Sequence, residues 1–124
     1  MSKAEGTAAP LASALNELIG KRLSSIEFVQ DYLQLHFDGA TLTAYSRPVL
    51  QSGPRELVWE DPGYGDAFRS LIGAEVRCAR VTDSEIGIDF NEGERVLLSL
   101  RDEDYRGPEA FELRLSPTSP WIVG

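Results

Sequence analysis

The chain has 124 residues, 42% apolar and 26% charged, an ordinary globular composition that argues against general disorder and suits a single domain. Twenty Asp and Glu against 12 Lys and Arg leave a formal charge of −8, which repels a phosphate backbone and argues against nucleic-acid binding. No apolar run reaches the ~20 residues of a membrane span and no segment resembles a signal peptide, so a cytoplasmic protein with no membrane role is expected.

In chain order, residues 1–10 are rich in Ala and small polar residues, show no periodicity, and read as a flexible arm. Next, Leu11, Leu15, Leu18 and Ile19 are spaced as the apolar stripe of a short helix, and Gly20 stands where a left-handed C-terminal cap would sit. An offset of 53 residues carries this set onto Tyr64, Phe68, Leu71, Ile72 and Gly73, so the tripeptide Leu-Ile-Gly occurs twice. A strand follows each helix. In both, the apolar phase slips by one residue, from Leu23 to Ile26 and Phe28 and from Val76 to Ala79 and Val81, and a β-bulge reconciles the phases.

The same offset places Leu33, Leu35 and Phe37 on Ile86, Ile88 and Phe90, a period-two alternation that marks a strand with one buried face. These alternations put Leu35, Phe37, Ile88 and Phe90 inside and leave His36 and Asp89 more exposed. Turns follow at Asp38-Gly39 and, one residue longer, at Asn91-Glu92-Gly93, after which the offset becomes 54. It then aligns Leu42 and Ala44 with Val96 and Leu98, Gly53-Pro54 with Gly107-Pro108, and a last strand through Leu57 and Trp59 with one through Phe111 and Leu113.

The expected fold is therefore α+β: an internally duplicated α-β-β-β-β unit, residues 11–59 and 64–113, with a tail over 114–124. The sheet is mainly antiparallel, a roll or partly open barrel with two short helices, and the halves are related by a pseudo-twofold. In the tail, Trp121 is expected to cover an open end of the core, the alternative being a contact with another subunit.

Chemistry-bearing residues are sparse. The run "RDEDYRGPE" gathers Asp102, Glu103, Asp104 and Glu109 around Tyr105, but lacks the spacing of a calcium loop, and its counterpart "RPVLQSGPR" is not acidic. This is expected to be a solvated charged loop with no metal, the alternative being a loop that binds a partner. His36 has no nucleophile or orienting acid in a recognisable motif, and its counterpart is Asp89; the two would meet only if the hairpins paired across the pseudo-twofold. Cys78 reads as a small semi-buried thiol. In "LVWEDPGYGD", Asp61 or Asp66 is the expected N-cap of the second helix, and Trp59 and Tyr64 are expected to serve helix entry and core packing, the alternative being the wall of a cleft between the units. No catalytic residue, metal ligand or cofactor site is expected, and the candidate contact residues are Trp59, Tyr64, Asp102, Glu103, Asp104, Tyr105 and Trp121.

The segments "LIG", "DYLQLHFDGATL" and "RGPEAFEL" together resemble small bacterial proteins of unknown function. The resemblance implies a β-rich cytosolic protein and carries over no catalytic residue; by analogy with small acidic immunity proteins it suggests protein partner binding. The expectation is a non-enzymatic interaction module whose partner is a protein, basic by charge complementarity, with a homodimer as a further association. The alternative is a small-molecule or enzymatic site in the cleft between the units.

Overall fold

The computed structural model describes residues 3–124. Two helices, α1 (Lys3–Asn16) and α2 (Tyr64–Arg69), accompany ten strands. These are β1 (Leu23–Val29), β2 (Tyr32–Phe37), β3 (Ala40–Ala44), β4 (Val49–Ser52), β5 (Arg55–Leu57), β6 (Val76–Val81), β7 (Glu85–Phe90), β8 (Arg95–Ser99), β9 (Phe111–Arg114) and β10 (Ile122–Val123). They form two antiparallel five-stranded sheets, ordered β1-β2-β3-β9-β10 and β5-β4-β8-β7-β6, which do not close into a barrel.

α1 starts inside the stretch read as an arm. Alanine is the strongest helix former, and three alanines precede Pro10, whose ring lacks the N–H that would continue the ladder. Met1 and Ser2, the rest of that arm, lie outside the described residues.

Leu11, Leu15 and Leu18, like Tyr64, Phe68 and Leu71, are buried as their spacing requires. Ile19 and Ile72, placed on the same stripe, are each 45% exposed. By those residues both helices have ended, and Gly20 (φ 87°) and Gly73 (φ 96°) turn the chain through the left-handed region that side chains disfavour. Gly20 N–H donates to Val76 O (2.8 Å) and Gly73 N–H to Leu23 O (2.7 Å), while Leu23 N–H reaches Ala74 O and Val76 N–H reaches Lys21 O, both at 2.9 Å. These contacts occur in pairs at an offset of 53 and flank an isolated antiparallel bridge between Arg22 and Glu75. The two sheets are joined there, edge to edge.

Both bulges lie where the phase slips: the register breaks between Leu23 and Ser25, and again between Val76 and Cys78. Cys78 is half-buried. Phe28, read as part of the buried stripe, is instead 47% exposed, with its ring near Gly65 and 6.5 Å from Trp59.

Each half carries five strands, one more than expected, and its last two belong to the opposite sheet. β4 pairs with β8 through Leu50 and Val96, and β9 pairs with β3 through Leu113 and Leu42. The hairpin of β4 and β5 thus completes the second sheet, while β9 and β10 complete the first. This corrects the alignment of Gly53-Pro54 with Gly107-Pro108. The former is the tight turn of the β4–β5 hairpin, whereas the latter lies in the loop before β9. Through their strand partners, Leu50 corresponds to Leu113 and the turn at Gly53 to the one around Thr118. Trp59 lies beyond β5 rather than in a strand.

One apolar core draws on both sheets and both helices, with Leu33, Leu35, Phe37, Ile86, Ile88 and Phe90 at its centre. Phe37 and Phe90, related by the 53-residue offset, stack with ring centroids 6.5 Å apart.

Asp89 is only 7% exposed, against expectation, because two arginines cover it. Arg95 Nε donates to Oδ1 (2.8 Å) and Arg80 Nη1 to Oδ2 (3.1 Å). Gly87 makes room for this arrangement, since a Cβ there would lie 3.3 Å from the Arg80 guanidinium. His36 does not approach Asp89, which is in the other sheet; its Nε2 is 3.6 Å from Glu27 and its Nδ1 3.2 Å from Thr41 Oγ1. The 53-residue offset relates Glu27 to Arg80 and His36 to Asp89, so equivalent positions hold acid beside base in one sheet and base beside acid in the other. Asp61 is not the cap of α2 either. Gly63 occupies that position with φ 89°, and Asp61 instead accepts a hydrogen bond from Val58 N–H (2.9 Å), bracing the turn before the helix.

Candidate functional site

The exchange of hairpins makes each half cross to the opposite sheet, through the segment after β3 in one case and after β8 in the other. Buried Ser46 ties the crossings together: its hydroxyl donates to Ser99 O (2.8 Å), and its N–H, with that of Tyr45, donates to Ala110 O. The Tyr64 hydroxyl donates to Pro48 O (2.5 Å), and burial pushes its pKa above the usual tyrosine value.

Between the crossings lies a cleft of about 390 Å³, lined by residues of both halves. That volume is at the lower end of small-molecule sites. Val49 and Leu97, directly paired across β4 and β8, contribute apolar surface. The first half adds Arg47, Val58, Trp59 and Glu60; the second adds Glu85, Ser99, Arg101, Asp104 and Arg106. Arg47 lies over the Trp59 ring (4.7 Å from guanidinium carbon to centroid) and 3.4 Å from Glu60 Oε2. Its Nε is buried without an acceptor among the described residues. The Ser99 hydroxyl donates to Asp104 Oδ2 (2.6 Å) and accepts from Arg101 N–H (3.1 Å). Arg101 and Arg106 are exposed and form no ion pair among the described residues.

A second cleft, of about 360 Å³, occupies the equivalent place on the first sheet. The offsets that relate β2 to β7 and β3 to β8 put Asp31, Tyr32 and Tyr45 where the larger cleft has Ser84, Glu85 and Ser99. Tyr32 and Tyr45 form one wall of it, with ring centroids 5.1 Å apart. Burial, and then hydrogen bonding to Glu112, pushes the Tyr45 phenol up to about 12. Since folding raises this pKa from 10, the protonated phenol contributes stability that is complete below pH 10 and lost as pH rises towards 12. The melting temperature is expected to fall through that interval, and Tyr45→Phe should flatten the fall, leaving the part due to Tyr64. Thermal melts of both proteins at pH 9, 10, 11 and 12 check this; parallel curves would show that Tyr45 carries none of it.

Of the residues singled out from sequence, Trp59 and Asp104 line the larger cleft. Tyr64 is buried in the core and lines neither cleft. Asp102 and Glu103 are exposed on a 3-10 turn outside both clefts. No group of three or more His, Cys, Asp or Glu among the described residues is placed to hold a metal ion. Tyr105 packs half-buried against the core, and burial followed by the nearby Asp102 raises its pKa. Trp121 does not close the core. It is 42% exposed with the Arg114 guanidinium 5.1 Å from its ring centroid, while the chain end tucks in at Gly124, close against Phe111.

Arg47, Arg101, Arg106, Glu85 and Ser99 were not singled out from sequence, although one signal was present: Arg47 and Arg101 align at the offset of 54. None of the described helices is long and apolar enough to cross a membrane. Comparison with models of known protein families, with curated proteins and with solved structures finds no match.

Proposed function

We propose that this chain is a cytoplasmic, non-enzymatic binding module, built as a duplicated unit about a pseudo-twofold, whose ligand is a small molecule held in the larger cleft. One observation carries the reading: of two equivalent clefts of similar volume, one is walled by Tyr32 and Tyr45, while the other carries Glu85 and Ser99 in their places and gathers Arg47, Trp59, Arg101 and Asp104 from both halves. Divergence at those positions gives the two clefts different chemistry, aromatic in one and charged in the other. Binding rather than catalysis is favoured because His36, the one imidazole, lies on the first sheet outside the cleft, and the Ser99 hydroxyl is committed to Asp104. Partner binding through the acidic turn is the second reading, supported by the exposure of Asp102 and Glu103.

The double substitution E85Y/S99Y tests the cleft, because the equivalent positions already accommodate two tyrosines. A ligand at 100 times its Kd adds about 2.7 kcal/mol, a shift of several degrees in a domain this size. In a thermal-shift screen of small metabolites, at least one should raise the melting temperature of the wild type and leave that of the folded double variant unchanged. Identical responses from the two proteins would overturn the cleft reading.

A further inference from the structure

The geometry points to an anionic group, a carboxylate or phosphate on a small molecule, as what the larger cleft recognises, held by Arg47, Arg101 and Arg106. This rests on reading that cleft as the ligand site and names the chemistry it selects.

The cleft holds both signs of charge, so what decides is which groups already have partners. Asp104 accepts from Ser99, Glu56 accepts from Gln51 Nε2 (3.3 Å), and Glu60 faces Arg47. Glu85 is the one carboxylate of the cleft with no side-chain partner among the described residues. On the basic side, Arg101 and Arg106 have no ion pair there, and the Arg47 Nε–H is shielded from solvent with nothing to accept it. Among the described residues the one donor of the cleft that is both shielded from solvent and unmet is therefore the Arg47 Nε–H, and a buried donor without an acceptor is costly until a ligand supplies one.

Arg47 is also held in advance. Trp59 supports its guanidinium plane, and Trp59 itself contacts Phe28 and Tyr64, the latter at 5.8 Å. Glu60, its present partner, is 72% exposed at the side chain, so an incoming oxyanion competes with a weak, solvent-screened pair. A planar guanidinium fixed against an aromatic ring suits two-point recognition of a carboxylate or phosphate. Arg47, Arg101 and Arg106, the last of which also lines the second cleft, share the larger cleft with Glu56, Glu60, Glu85 and Asp104, so the attraction for an anion comes from direct guanidinium contact and not from a positive field over the cleft.

The test uses Trp121→Phe, which leaves Trp59 as the sole tryptophan and places the fluorophore in the cleft wall. Inorganic phosphate, citrate and benzoate are titrated as the anions, spermidine as the cation and glucose as the neutral probe. At least one anion should change Trp59 emission saturably, the phosphate arm separating phosphate from carboxylate recognition. In the same background, R101Q/R106Q should weaken binding about tenfold or more, with the circular dichroism spectrum preserved. Response to spermidine or glucose and to no anion would overturn the anion assignment and leave the cleft reading standing. Silence from every probe, together with equal thermal shifts for wild type and E85Y/S99Y, would overturn both. An anion response undiminished in R101Q/R106Q and in Arg47→Gln would also overturn the assignment.

Discussion

Replacing Phe37 by alanine is expected to lower the unfolding free energy by about 3–5 kcal/mol, and Phe90→Ala by a similar amount. Both rings are fully buried and stack on each other at the ends of β2 and β7. Their strand partners, Leu23 and Val76, make the hydrogen bonds that join the two sheets. Each truncation therefore leaves a void at the seam, where neither sheet can close over it without disturbing those bonds. Domains of this kind have about 5–15 kcal/mol to lose, so the double variant should be largely unfolded at 25 °C. Urea denaturation of the two single variants and the double measures this, and the cycle gives the coupling between the rings. A loss below about 1 kcal/mol for either single variant would contradict a load shared across the seam.

Cutting the chain between Glu60 and Asp61 should yield two pieces that do not fold separately and assemble when mixed. The first piece carries β1, β2 and β3 together with β4 and β5, but the strand that flanks β3 is β9, and the strand that flanks β4 is β8. The second piece has the mirror deficiency. Alone, each has a three-stranded meander with an unpaired inner edge and a detached hairpin, and a two-stranded hairpin is marginal in water. Mixing restores every ladder, so far-ultraviolet circular dichroism of the mixture should exceed the sum of its parts, and light scattering should report a 1:1 complex. If either piece folds alone as a monomer, the exchanged hairpins do not interlock the halves. Self-association of one piece into a symmetric dimer would instead reproduce the architecture with a true twofold.

Local physics made much of this fold legible. Leu33, Leu35 and Phe37 alternate with polar neighbours because one face of β2 is buried, and the slip at Leu23 announces a bulge because period two tolerates no other explanation for an inserted residue. The choice of sheet for the last hairpin of each half leaves no such mark. Leu50 and Leu113 would alternate identically beside either meander, and only long-range pairing decides between them. Asp89 was misplaced for a related reason: Arg80 and Arg95, which cover it, come from two neighbouring strands. The cleft was half visible. Trp59 and Asp104 attract notice as an aromatic and an acid beside turns, whereas Arg47 and Arg101 look like surface charge until the two crossings bring them to one cleft.

The exchanged hairpins also impose an order on synthesis. During translation the second meander finds β4 and β5 already made, so its sheet can close as soon as β8 leaves the ribosome. The first meander appears earliest and waits longest, because β9 and β10 are encoded after residue 110. Until then the inner edge of β3, running Ala40–Ala44 through buried Leu42 and Thr43, stays open to any extended segment nearby, including the same strand on a neighbouring nascent chain. The last fourteen residues thus protect an edge made some seventy residues before them. A stop codon in that stretch would release a chain most of whose core residues are present but whose first sheet has no finished edge.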